Sequence, residues 1–127
     1  MSMSNPADTV TRLINAVNQG DLATVAACYE PEATLIVQPG QVATGTQAIR
    51  EAFAGFIAAK TIITSETHKI IQSGDIALFI SKWTAAGTAP DGTSMNMGGT
   101  SSDVLRRQAD GRWLIAIDNP FGAAILD

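Results

Sequence analysis

The chain has 127 residues, 46% of them apolar and only 16% charged, and carries a formal net charge of −4. That length suits a single domain over residues 1–127, with a core that needs no metal or disulfide staple. The acidic balance, with a pI near 4.7, argues against nucleic acid or an anionic membrane as a partner.

So large an apolar fraction in a small chain implies a large buried share, a cavity or a subunit interface. The one cysteine, Cys28, cannot close a disulfide within the chain, which fits a reducing compartment. The first residues, Met1 to Asp8, lack the basic and apolar regions of a secretory signal, and no apolar run approaches the roughly 18 residues of a membrane span. A cytoplasmic protein is expected.

Asn5-Pro6 reads as an N-cap with proline at the first helical position. Val10, Leu13, Ile14 and Val17 follow at helical spacing, and Asn18-Gln19-Gly20 ends that helix. Asp21 caps a second helix carrying Leu22, Val25, Ala26 and Tyr29, closed by Pro31. A first strand is expected over Ala33 to Gln38, stopped by Pro39-Gly40. A third helix opens at Gly45-Thr46, with Ile49, Phe53, Phe56 and Ile57 on its apolar stripe. From about Thr61 the composition turns to Thr, Ile and Val. Turns at Ser73-Gly74-Asp75, Pro90-Asp91-Gly92 and Ala109-Asp110-Gly111 divide the remainder into four strands joined as antiparallel hairpins. This order predicts an α+β fold, a curved sheet with the helices packed on one face.

The strand from Ile76 to Ala86 carries Ile76, Leu78 and Ile80 on one face and Ala77, Phe79 and Trp83 on the other. Neither face is polar before Lys82. The helices can cover one face; the other calls for a second subunit, hence a homodimer through the convex side of the sheet, or for the C-terminal segment folding back. Trp83, Trp113 and Phe79, on one face, read as core or interface. Gly98-Gly99 permits sharp curvature or the close approach of a ligand.

The last strand runs apolar from Trp113 to Ile117 and then meets Asp118. A charge there is costly unless solvated, paired or protonated, so Asp118 is either a turn carboxylate before Asn119-Pro120 or a pocket residue. If the turn over Gln108–Gly111 sets Arg107 opposite Arg112, then Asp103 faces Ala116 and Ser101 faces Asp118. The two carboxylates become diagonal neighbours on one face, with β-carbons about 7 Å apart. Such a pair in an apolar cavity supplies one neutral acid and one base. A one-residue bulge at the turn would send them to opposite faces, and Asp103 has an alternative as a surface partner of Arg106, Arg107 or Lys82. Tyr29 packs a helix end or turns its hydroxyl to the pocket. Phe53, Ile80 and Ala116 join it as expected contacts of a small apolar ligand. His68 is the only histidine, which excludes a histidine metal cluster; no metal or cofactor is expected.

The strings N-Q-G-D-L (Asn18 to Leu22), E-P-E-A-T-L (Glu30 to Leu35), G-T-Q-A-I-R-E-A-F (Gly45 to Phe53), S-G-D-I-A (Ser73 to Ala77) and D-G-R-W-L-I-A-I-D-N-P (Asp110 to Pro120) resemble the nuclear transport factor 2-like superfamily. Its ketosteroid isomerase-like, SnoaL-like and SgcJ/EcaC-type branches are the most similar in style. The resemblance implies a cone of curved sheet plugged by helices, with a pocket at its mouth. It also implies that the tyrosine and general-base aspartate of steroid isomerases fall on Leu13 and Val37, neither of which can do that chemistry. Their protonated aspartic acid falls on Asp103, and the acid–base aspartate of SnoaL-type cyclases, seven residues after the glycine opening the last strand, falls on Asp118. Two functions follow as expectations. One is cofactor-independent isomerisation, cyclisation or dehydration of an apolar carbonyl compound by Asp118 and Asp103. The other is a non-catalytic ligand-binding or dimerising module.

Overall fold

A computed structural model describes residues 3–127. Helices α1 (Pro6–Gln19) and α2 (Leu22–Ala27) are followed by β1 (Tyr29–Gln38), β2 (Gln41–Thr44) and α3 (Thr46–Ala58). Three long strands and a short one complete the sheet, β3 (Ile62–Ser73), β4 (Ile76–Thr88), β5 (Ser94–Arg107) and β6 (Trp113–Asp118), and a 3₁₀ turn over Gly122–Leu126 follows. Among the described residues no helix is long and apolar enough to cross a membrane.

Local chemistry sets where α1 starts, stops and docks. The Asn5 side chain accepts the Asp8 N–H at 2.9 Å, and Pro6 occupies the first turn. Gly20, at φ 75°, turns the chain so that its own N–H and that of Asp21 reach the carbonyls of Val17 and Ala16. Leu13, Ala16 and Val17 are buried. Buried Thr9 donates its hydroxyl to the Trp113 carbonyl at 2.6 Å. Asn18 holds the backbone of Ile63, donating to its carbonyl at 3.0 Å and accepting its N–H at 2.7 Å. The helix is thereby tied to β6 near its start and to β3 near its end.

The sheet order is β2-β1-β6-β5-β4-β3. The four strands from β3 to β6 are antiparallel neighbours, as the turns predict. The sheet is not antiparallel throughout, however: β6 lies parallel to β1.

Three expectations are corrected here. Tyr29 belongs to β1 and not to the second helix, which ends at Ala27 with Cys28 as its cap; the Val25–Tyr29 spacing imitates helical periodicity. Pro31 therefore closes no helix. Pairing of β1 with β6 jumps from Tyr29↔Ile115 to Thr34↔Ile117, so Glu30 to Ala33 bulge out of the ladder and the missing N–H of Pro31 costs no bond there. The short edge strand β2, paired back onto β1, had no counterpart in the expected elements.

The last hairpin is displaced as well. Arg107 pairs with Trp113 instead of Arg112, because the Gln108 N–H closes the loop on the Arg112 carbonyl at 2.7 Å. The register then shifts again, from Leu105↔Ile115 to Val104↔Ile117, leaving Ala116 as the extra residue of a β-bulge. Each slip alone reverses which face the later residues meet; the two together restore it. Asp103 therefore stands directly across from Asp118 instead of diagonal to it. The bond from the Ser102 N–H to the Asn119 carbonyl, 2.8 Å, continues the same register.

On β4 the residues Ala77, Phe79, Ser81, Trp83 and Ala85 point to the concave side with the helices, opposite Leu105, Asp103, Ser101, Gly99 and Met97 of β5. The convex side carries a straight cross-strand row, Ile71–Leu78–Val104–Ile117. Ile71 is 60% exposed and Ile117 45%. The C-terminal turn reaches β5 and Ile80 without covering that row. At Gly98 a β-carbon would stand 2.9 Å from the Trp83 carbonyl, so close approach of β4 explains this glycine.

Candidate functional site

Between the concave face, α1, α3 and β1 lies a cavity of about 120 Å³. Its walls are aliphatic and aromatic: Leu13 and Ile14 from α1, Phe53 and Phe56 from α3, Leu35 and Val37 from β1, with Trp83, Met97 and Phe121. Polar groups are few. Ser81, Ser101, Asp103 and Asp118 lie together on the sheet, and Thr61 and Ser65 belong to the β3 side. No lysine, arginine or histidine is among the lining residues.

The two carboxyls are held by the bulge in β6. With Ala116 as the extra residue, Ile115 and Asp118 both line the cavity while Ile117 turns outward. Asp103 is 7% and Asp118 8% exposed. The Tyr29 hydroxyl donates to Asp118 Oδ2 in a short hydrogen bond, and the Asn119 N–H donates to Asp103 Oδ1 at 2.9 Å. Burial, and after it the charge of Asp118, raises the Asp103 pKa well above the usual carboxylate range. Burial raises Asp118 too, opposed by the hydrogen bonds from Tyr29 and Asp103. Burial and the Asp118 charge hold the Tyr29 phenol well above its ordinary value, so it stays a donor.

The basic residues suggested as surface partners of Asp103 are engaged elsewhere or face away. Arg106 pairs with Glu30 at 3.2 Å, and Arg107 binds Asp75 on the surface. Lys82 projects to the convex side. Among the described residues the acid pair has no counter-ion.

The other site residues divide. Phe53 lines the cavity; Tyr29, its ring 5.9 Å from that of Phe53, is a correction, because it is not among the lining residues and meets the site through its bond to Asp118. Ile80 and Ala116 are corrections. Ile80 has the wrong parity on β4 and borders a shallow convex depression beside the C-terminal turn; Ala116 is consumed by the bulge and is not among the lining residues. Trp83, read as core or interface, lines the cavity and donates its indole N–H to the Pro120 carbonyl at 2.7 Å. Ser81 was overlooked, although its position between Phe79 and Trp83 on the inward parity was the available signal. His68 stacks on Phe79 with centroids 5.0 Å apart and is exposed. Cys28 is buried, its thiol pushed up to about 11 by desolvation. Among the described residues no group of three or more His, Cys, Asp or Glu is placed to hold a metal ion.

This arrangement has relatives. The SnoaL-like domain family matches residues 10–115. The chain belongs to the SnoaL-like family. A nuclear transport factor 2-like superfamily protein from Salmonella enterica resembles this SnoaL-like domain with a TM-score of 0.79 at 18% identity, over 88% of this chain and 84% of that one. A ketosteroid isomerase-like protein from Erwinia carotovora atroseptica gives 0.78 at 21%, over 91% and 92%. The epoxide hydrolase/cyclase-like enzyme SalBIII, of pyran ring formation in the polyether salinomycin, gives 0.72 at 23%, over 93% and 91%. At these identities the likeness is one of fold. No match to the chain was found among curated proteins. Leu13 and Val37, which stand where the resemblance places the isomerase tyrosine and base, both line the cavity of the SnoaL-like domain.

Proposed function

We propose that this SnoaL-like domain is a cofactor-independent acid–base catalyst that isomerises, cyclises or dehydrates a compact apolar carbonyl compound. The observation that carries the reading is the pair of buried carboxyls facing each other across β5 and β6 in an apolar cavity without a cation. Two carboxyls in that position oppose each other's ionisation, and we read the pair as sharing one proton. The Tyr29 hydrogen bond favours the charged form of Asp118. Asp118 is then the base and Asp103 the neutral acid, and each finds its counterpart protonation state across one strand gap. The cavity of about 120 Å³ sets a compact scale for the part of the ligand it takes in.

Deuterium incorporation beside the carbonyl of cyclohexanone, followed by NMR in heavy water, tests the reading. Wild-type protein catalyses it, and Asp118→Asn slows it by about 10²–10⁴-fold. Equal rates in the two proteins would leave the second reading, a ligand-binding module, which the apolar Leu13 and Val37 at the isomerase positions favour.

The same proposal includes a partner and a setting. A second copy covers the exposed row Ile71–Leu78–Val104–Ile117 on the convex face, and a reducing cytoplasm suits the single buried thiol.

A further inference from the structure

Resting on the acid–base reading, we propose that Ser81 is the group that meets the substrate's oxygen, and that Ser101 links it to Asp103 as a two-hydroxyl relay. The two serines face each other across β4 and β5 one inward position beyond Phe79 and Asp103. Their hydroxyl oxygens are 2.7 Å apart, the residues are 7% and 4% exposed, and both line the cavity. Ser101 stands two residues from Asp103 on the same inward face of β5, so Asp103 is its neighbouring carboxyl along the strand, and its hydroxyl also lies 3.5 Å from the Ser81 carbonyl. A row of inward polar groups therefore leads from Tyr29 through Asp118, Asp103 and Ser101 to Ser81, hydrogen-bonded at its two ends and joined by register between them.

Proton counting gives that run a direction. Each serine has one proton to donate. When Asp103 is ionised, Ser101 donates to it and Ser81 donates to Ser101, so no hydroxyl proton points into the cavity. When Asp103 carries the pair's proton, it has two neighbouring acceptors, Asp118 and Ser101. Turned toward Ser101, it lets Ser101 donate to Ser81 and frees the Ser81 proton for a ligand. Ser81 is thus a donor only in the state in which Asp103 is an acid.

The catalytic step balances on these groups. Asp118 removes the proton beside the substrate carbonyl, and the C–H electron pair becomes the new C=C bond. The carbonyl π pair takes the Ser81 proton; Ser81 is reprotonated by Ser101, and Ser101 by Asp103. The pair begins as neutral Asp103 with charged Asp118 and ends with the roles exchanged. Its total charge never changes, so no further charge is buried, which is the costly event in a cavity without a cation. Ser81 is the catalytic donor in this scheme, and Ser101 a positioning residue that acts through it.

Isotope-edited infrared spectra of bound [carbonyl-¹³C]cyclohexanone test the assignment without requiring turnover. In wild-type protein the carbonyl band falls in frequency on binding, and Ser81→Thr keeps the shift because it keeps the hydroxyl. Ser81→Ala loses the shift. Ser101→Ala keeps it but removes its dependence on pH, because the link to Asp103 is cut. Asp118→Asn retains the band shift while losing deuterium exchange. A shift that survives in Ser81→Ala, an unshifted band in the wild type, or no saturable binding of the ketone overturns the proposal. A Ser81-dependent shift in a wild-type protein that exchanges no deuterium upholds the donor assignment and sinks the acid–base reading alone.

Discussion

On the concave face of β4 and β5, Phe79 and Asp103 stand opposite one another, a carboxyl set among apolar groups. One residue along, on the convex face, Leu78 stands opposite Val104 in a row whose ends, Ile71 and Ile117, are left to water. The same two strands therefore bury polar groups on one side and leave aliphatic ones half-covered on the other. Both placements cost stability in an isolated chain. Helical cover makes the inner side dry enough to change proton affinities, while among the described residues no element covers the outer row. On the proposed reading the two faces take different partners: a ligand inside, and another copy outside.

The largest expected effect separates the faces by their packing. Phe79 is 2% exposed, and Phe79→Ala should cost about 3–5 kcal/mol in urea unfolding. Leu78→Ala, on the half-covered face, should cost less than half as much at protein concentrations that favour the monomer. If the two losses are equal there, the convex row is not a free surface and the contrast fails.

The next test acts on the convex face alone. Val104→Lys places a charge in the middle of the row, opposite Leu78 and Ile117. A lysine desolvated at the centre of a self-complementary interface loses several kcal/mol of association. Light scattering at micromolar concentration should move from dimer to monomer with the circular dichroism unchanged. A wild-type protein that is already monomeric removes the second copy from the proposal and leaves the concave site untouched.

Most of the fold is readable in the sequence because its signals are local. Caps at Asn5 and Asp21, turns at Gly74, Gly92 and Gly111, and β4's alternation each act within a few residues. The misplaced parts are those decided at a distance. Tyr29 sits at helical spacing from Val25, and only pairing with β6 makes it a strand residue. Asp103 and Asp118 are recognisable as inward acids, but their direct opposition depends on a loop one residue longer than expected and on the bulge at Ala116. Both are register effects to which composition is blind. Ile80 and Ala116 left the site for the same reason, and Ser81 went unnoticed because a serine in a strand carries little signal until its neighbour across the sheet is known.

The smallest expected effect bears on the concave face and asks what the buried acid costs. The Asp103 pKa is raised well above the ordinary 3.8, chiefly by burial and then by Asp118. In the window between that ordinary value and the raised one, the folded protein binds more protons than the unfolded chain. Stability attributable to this group is therefore complete below about pH 4 and is lost as the pH rises through the folded-state value. Asp103→Asn removes the titration, keeps an oxygen to accept the Asn119 N–H, and offers an amide donor to Asp118. The variant should melt several degrees higher than wild type at pH 7.5 and at nearly the same temperature at pH 4. If it is destabilised equally at both pH values, Asp103 serves the fold as an acceptor for Asn119, and its burial carries no cost that catalysis must repay. A gain confined to neutral pH marks it as a group retained at the expense of stability, as an acid kept for chemistry would be.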